Sequence, residues 1–216
     1  MRILMLPVIL ALLLACGCGE QTTAEEGAPA ETSQPSAQSH DQLPDLEGKS
    51  IVMIVAHRDF RDEELFEPKS IFEKAGAKVT VASSSLDPAK GMLGATVTPD
   101  ILLADVKATD YDAVVFVGGS GAKEYWDNRT AHMIARQAFE NGSVVGAICI
   151  APVILANAGL LDGRKATVWA SDAGRLRAQG AEYTGRDVEA DGRIITANGP
   201  EAAEKFGLAV ASALAG

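Results

Sequence analysis

An α/β fold, doubly wound around a mostly parallel sheet with helices on both faces and a nucleophile elbow, is the architecture this sequence predicts. Three observations carry it. Strand-like and helix-like segments alternate from residue 49 onward. The strand-like runs are solidly apolar, as strands covered on both faces must be. A cysteine, Cys149, stands between one such run and a segment with Pro152 in its first helical turn, where a missing N–H costs nothing.

The elements follow in order. Residues 50–56 form a continuous apolar strand, and 62–75 an amphipathic helix ending at Gly76, a natural C-terminal stop. Residues 78–82 alternate like a strand, and 95–98 read as a short strand or extended arm. A buried strand over 112–117 runs into Gly118-Gly119, and a helix over 128–139 stops near Asn141-Gly142. A β-branched strand over 143–148 leads to Cys149 and a helix over 150–156. A strand over 165–169, a short helix over 172–179, and strands over 187–190 and 193–196 flanking Asp191-Gly192 come next; that dipeptide signals a hairpin. A helix over 201–214 completes the pattern. In such sheets ligands bind at the carboxyl ends of the strands. His57, Gly118, Gly119, Cys149 and Trp169 fall near those ends.

Cys149 reads two ways. Free cysteine is most often an inert core residue. Here small residues, Ala147 and Ala151, flank a strand-to-helix corner, as a projecting nucleophile requires. Free N–H groups and the dipole at a helix N-terminus favour thiolate. Gly118-Gly119 is either a plain turn out of a strand or a place where backbone N–H groups reach a reacting oxygen, together with the N–H of Ile150. Asp62, Glu63 and Glu64 all suit the first turn of a helix, and spacing does not choose among them.

The first 47 residues differ from the rest. Arg2 precedes an apolar run over 3–14, too short to span a bilayer and suited to a signal peptide over 1–15. Leu13-Leu14-Ala15-Cys16 resembles a bacterial lipoprotein lipobox, which implies lipidation of Cys16; Cys18 is a competing acceptor, and a plain secretory signal ending near Gly19 is the alternative. No Asp follows Cys16, which points to the periplasmic face of the outer membrane. Residues 17–47 hold seven acids, no Lys or Arg and almost no large apolar residue. They read as a disordered acidic tether, 16–47, ahead of a single domain over 48–216. Arg2 is the one charge before that tether, so the chain's formal −10 leaves −4 for the domain. A mildly acidic domain without a basic stripe argues against nucleic acid. With Cys16 and Cys18 outside it, the domain has one cysteine and no internal disulfide, and no metal-spaced cluster or cofactor motif stands out.

Three segments converge on a known family. Asp59-Phe60-Arg61-Asp62-Glu63-Glu64-Leu65, with Pro68 beyond, follows the first strand. Val115-Phe116-Val117-Gly118-Gly119 ends a middle strand, with Ala122-Lys123-Glu124-Tyr125 after it. Ala147-Ile148-Cys149-Ile150-Ala151-Pro152 forms the elbow, trailed by 159–169. In order and spacing these resemble the ThiJ/PfpI superfamily, the class I glutamine-amidotransferase-like group that includes the parkinsonism-associated deglycase. The resemblance covers 49–216 and implies a flavodoxin-like fold, a homodimer or higher homo-oligomer, and Glu64 beside Cys149. Burial would then raise the Glu64 pKa, and a proton shared with sulfur would stabilise thiolate.

The departures bear on chemistry. Ile150 stands where protease-like members carry His, so a PfpI-like peptidase is disfavoured, and Glu124 has no such His to orient. Trp169 stands where the deglycase branch has a His, and Arg61 replaces a frequent acid. His132 lies in mid-helix; His57 is the accessory residue that could reach the cleft. The expected function is thiol chemistry of Cys149 and Glu64 on small reactive carbonyls in stress protection. The alternatives are a redox sensor or holdase through Cys149 oxidation, and a binding module with a vestigial site.

Overall fold

The structure is a computed structural model, and it describes residues 43–216. The strands are β1 (Ser50–Ile54), β2 (Arg58–Phe60), β3 (Lys78–Ser83), β4 (Ala89–Gly91), β5 (Thr96–Val97), β6 (Ile101–Leu102), β7 (Ala113–Phe116), β8 (Val144–Ile148), β9 (Lys165–Ala166), β10 (Glu182–Tyr183), β11 (Val188–Asp191) and β12 (Ile194–Ala197). The α-helices are α1 (Asp62–Lys74), α2 (Arg129–Glu140), α3 (Pro152–Asn157), α4 (Ala173–Ala178) and α5 (Ala203–Ala215).

Seven strands form the central sheet in the order β11-β12-β8-β7-β1-β3-β6. Every pairing is parallel except β11 with β12. The register sets Ile54 opposite Phe116 and Phe116 opposite Ala147, so β1, β7 and β8 end level. Their side chains are almost wholly buried, as expected of strands with helices on both faces.

The chain winds both ways from the middle. The connection from β1 through α1 steps to β3, and that from β7 through α2 steps to β8 on the other side. Right-handed crossovers then put α1 and α2 on opposite faces. α5 packs on α1 and against β8 and β12. Gly207 permits the close helix contact, since a Cβ there would lie 2.8 Å from Ile71 Cδ1 and 2.9 Å from Pro68 Cα. The direction reverses between β1 and β7, the place where doubly wound sheets open a crevice at their carboxyl ends.

The structure departs from the sequence expectations at four places. The strand expected over 165–169 reduces to β9, which pairs with β10 apart from the central sheet. Trp169 instead opens a 3-10 turn over Ala170–Asp172. The arm at 95–98 belongs to a small sheet of β2, β4 and β5, whose two- and three-residue strands are too short to show periodicity. The short edge strand β6 is too brief to read for the same reason. The domain also begins before 48. Leu46 is fully buried, its N–H donates to the Ala75 carbonyl at 2.7 Å, and Leu43 packs against the same core. They are the large apolar residues at the end of an otherwise polar segment, and burying one side chain gains about 1.5–3 kcal/mol. The signal peptide, Cys16, Cys18 and residues 17–42 of the expected tether lie outside the described residues. Among the described residues, no helix is long and apolar enough to cross a membrane.

Leu46→Ala should therefore destabilise the domain by about 2–4 kcal/mol, read from chemical denaturation. A change below about 0.5 kcal/mol would return residues 43–47 to the tether.

Candidate active site

The three segments singled out by sequence meet at the carboxyl ends of β1, β7 and β8. Cys149 follows β8 directly and has φ of 63°, a left-handed conformation that costs an L-residue roughly 1–2 kcal/mol. The backbone holds it there. Its N–H donates to the Ala197 carbonyl at 2.9 Å, its carbonyl accepts from Trp169 N–H at 2.8 Å, and Ala151 N–H closes onto Ile148 at 3.0 Å. Strain fixed by surrounding hydrogen bonds is a feature of functional corners.

Glu64 comes from the first turn of α1 and is fully buried. Pro68, inside that helix, has no N–H for the Glu64 carbonyl. Neither Glu64 carboxyl oxygen has a hydrogen-bond partner of full geometry. The polar groups that face it are the Cys149 thiol and the Gly118 N–H. Burial pushes Glu64 up to about 8, with Cys149, Arg61 and Gly118 pulling the other way. At neutral pH the carboxyl therefore carries its proton.

Glycine makes the approach possible. A Cβ at Gly118 would collide with Glu64 Oε2 and lie 2.5 Å from Cys149 Cβ. A Cβ at Gly119, where φ is 92°, would strike the backbone of Asp59 and Arg61, and one at Gly121 would strike the Arg58 carbonyl. The segment 58–61 thus lies directly on 118–121, latched by Arg61 N–H to the Gly118 carbonyl at 3.1 Å. The two glycines expected to share one role divide it. Gly118 N–H faces Glu64, while Gly119 and Ile150 N–H face the Cys149 sulfur.

The thiol itself corrects the expectation of a depressed pKa. Burial first, and the Glu64 charge second, push Cys149 up to about 12, against the pull of the Gly119 and Ile150 N–H groups. The corner does favour thiolate, but desolvation outweighs it. The second cause vanishes whenever Glu64 is protonated, and the carboxyl then becomes a donor to sulfur. The two groups titrate as one unit sharing a proton.

They line one wall of a cavity of about 570 Å³. Arg61, Lys123, Trp126, Trp169 and Arg175 line it too, with Met92 at its edge. Arg61 is held by Glu63 through two hydrogen bonds of 2.8 and 3.0 Å. Asp62 accepts the Leu93 and Ala95 N–H groups at 2.9 Å each, fixing the hairpin that presents Met92. The three adjacent acids thus separate cleanly: one clamps a hairpin, one holds Arg61 and one faces the thiol. A more polar depression at the opposite end of the strands, near Lys49, Asp112 and Arg193, contains none of these groups.

His57 does not reach the cavity. Its N–H donates to Glu124 at 3.2 Å, its carbonyl accepts from Lys90, and its Nδ1 is buried without a partner. Glu124 also accepts from Ser84 at 3.3 Å, so it is occupied within its own chain. His132 is only partly exposed, its Nε2 lying 2.7 Å from the Trp126 carbonyl. Among the described residues no histidine lines the cavity, and no group of His, Cys, Asp or Glu could hold a metal ion. Trp126, Met92 and Arg175 are cavity residues that the sequence reading missed. Trp126 directly follows the quoted Ala122–Tyr125 segment and is one of only two tryptophans in the chain, which is the signal that could have found it.

Residues 49–213 match the model of the DJ-1/PfpI family. The chain belongs to that family. A ThiJ/PfpI domain protein from Brachyspira murdochii superposes with a TM-score of 0.75 at 37% identity, covering 77% of this chain and 98% of that one. A protein named a deglycase from Thermococcus kodakarensis is 33% identical over 69% of this chain and 90% of its own length. A glutathione-independent glyoxalase of Caenorhabditis elegans is 27% identical over 78% of this chain and 90% of its own. The DJ-1/PfpI assignment agrees with the flavodoxin-like architecture and with the elbow at Cys149.

Glu64 binds a proton on folding at any pH between its ordinary 4.5 and about 8. The folded state binds more protons than the unfolded one in that window, so stability falls as pH rises through it. Urea denaturation at pH 5 and pH 8.5 should show that fall, and Glu64→Gln should remove this part of it. An unchanged difference in Glu64→Gln would mean that Glu64 ionises freely in the fold.

Proposed function

We propose that this DJ-1/PfpI protein uses Cys149 and Glu64 to convert small reactive α-ketoaldehydes to α-hydroxyacids, glyoxalase-type chemistry that protects against carbonyl stress. One observation carries the reading: a fully buried carboxyl that faces a cysteine held at positive φ, both lining one cavity. The printed names of its relatives, deglycase and glyoxalase, support the same substrate class.

The reacting form of the pair holds one proton: Glu64, as the carboxylate, takes the proton of the Cys149 thiol, the sulfur attacks the aldehyde carbon of methylglyoxal to form a C–S bond, and Glu64 passes that same proton to the aldehyde oxygen. Glu64, now a carboxylate, takes the hydrogen of that carbon as a proton. The electron pair forms an enediol with the neighbouring ketone carbon, and the Gly119 and Ile150 N–H groups, which face the sulfur, are the donors proposed to stabilise the oxygen that gains charge. Returning that proton to the ketone carbon, while the hydroxyl proton on the former aldehyde oxygen passes to the former ketone oxygen, leaves an α-hydroxy thioester. Water then breaks the C–S bond and releases lactate, one proton and the thiol. The aldehyde carbon is oxidised and the ketone carbon reduced within one molecule, so no external oxidant is needed.

Lactate formation from methylglyoxal tests this. Cys149→Ala should abolish turnover, and Glu64→Gln should lower kcat/KM by about 10²-fold or more, while Glu63→Gln stays within about fivefold. Equal losses at Glu63 and Glu64 would identify the wrong acid. A peroxide sensor is the second reading, favoured by the same N–H groups, which would also hold a Cys149 sulfinate. Stoichiometric peroxide consumption without lactate would establish it.

The reading places the domain on a membrane, tethered through lipid on Cys16, because the segment before it has the lipobox pattern. Metabolic labelling with a palmitate analogue should mark the wild type and Cys18→Ser but not Cys16→Ser. Label lost only in Cys18→Ser would move the acceptor.

A further inference from the structure

The charges lining the cavity do not cancel. Glu63 holds Arg61 at 2.8 Å, and Asp172 holds Arg175 at 3.2 Å. Glu64 is fully buried, and that burial disfavours its charged form, while Glu124 faces His57 and Ser84 outside the cavity. Lys123 remains: among the described residues it pairs with no acid. It is exposed, and its Nζ lies 5.8 Å from the centre of the Trp126 ring. The Arg175 guanidinium lies 4.6 Å from the same ring. Trp126 is fixed at both ends. Its indole N–H donates to the Ile150 carbonyl at 3.1 Å, and its own carbonyl accepts from Asn157 at 2.8 Å. One indole therefore links the residue after Cys149 to two cations. In a domain whose residues 48–216 carry a net −4, Lys123 makes this wall locally cationic, beside an apolar surface that weakens screening.

We infer that the cavity selects carbonyl compounds bearing one carboxylate, seated at Lys123 and the Arg175 edge of Trp126 with the carbonyl carbon over Cys149. A single excess charge matches a carboxylate rather than a doubly charged phosphate. The inference rests on the carbonyl reading of the site, but the seat is testable without turnover. Iodoacetate and iodoacetamide alkylate thiols by the same displacement and differ in charge. The rate for each is read at the Cys149 peptide of the full chain by mass spectrometry, which excludes Cys16 and Cys18.

The iodoacetate-to-iodoacetamide rate ratio at Cys149 should exceed that of the urea-denatured chain by about tenfold or more. Lys123→Met should lower the ratio by about tenfold, Lys123→Arg should retain it, and Lys107→Met, remote from the cavity, should leave it unchanged. A native ratio equal to the denatured one, or Lys123→Met slowing both reagents alike, overturns the inference. Lactate formation without iodoacetate preference overturns this seat and leaves the carbonyl reading standing. Iodoacetate preference without turnover of any α-ketoaldehyde supports the carboxylate seat alone and overturns the carbonyl reading together with the substrate class drawn from it.

Discussion

A carboxylate removed from water costs several kcal/mol if it stays charged without a partner, and Glu64 is removed from water beside a thiol. Its environment offers no cation in contact and no complete hydrogen bond, so the inexpensive state is the protonated one. That makes Glu64 an acid in the resting protein and a base once it has given up its proton. The thiol's chemistry is tied to the same event. Cys149 is costly to ionise while Glu64 is charged, and less so when Glu64 carries the proton. On the proposed reading, the chemistry belongs to the pair and to neither group alone.

The surrounding backbone serves that contact. Gly118 must be glycine because any side chain would enter the space between the two groups. Gly119 and Gly121 let the chain ahead of α1 press onto the loop after β7, which sets where Glu64 enters. Cys149 accepts a left-handed conformation because three hydrogen bonds around it leave little alternative. The level ends of β1, β7 and β8 are the larger-scale version of the same requirement. One contact thus draws on the first, middle and later thirds of the domain.

The parallel sheet is legible in the sequence because its strands are short apolar runs separated by amphipathic helices, and nothing else buries such runs so economically. Cys149 is legible because a proline and flanking alanines mark its corner. The choice among Asp62, Glu63 and Glu64 is not legible from spacing. Adjacent helix positions differ by about 100°, and which faces inward depends on how α1 docks between Gly118 and α5. Resemblance to the family supplied that choice. The small β2-β4-β5 sheet escaped because its strands are too short for a period of two to show. Residues 165–169 misled because an apolar, β-branched stretch is read as a strand whether or not a neighbour awaits it; here the chain turns at Trp169 to bond Cys149. Leu46 escaped because one apolar residue cannot outweigh a polar segment in composition, although it can in packing.

The departures from the family pattern narrow the chemistry rather than erase it. With Ile150 after the cysteine and Trp169 in the later segment, no imidazole of the described residues lines the cavity. A hydrolase that must protonate a poor leaving group while activating water generally needs a second titrating group near neutrality. A single carboxyl can instead move one proton from oxygen to carbon and back, provided the substrate carries its own electron acceptor beside the reacting carbon. An α-ketoaldehyde satisfies that condition, because the ketone receives the electrons that the aldehyde carbon gives up. Trp169, which stands where the deglycase branch has a His, and Trp126 supply flat apolar walls, and Trp126 brings Lys123 and Arg175 with it. The site thus has one proton carrier, two backbone donors and one spare positive charge. That combination suits a small, polarised, oxygen-rich substrate better than a peptide bond.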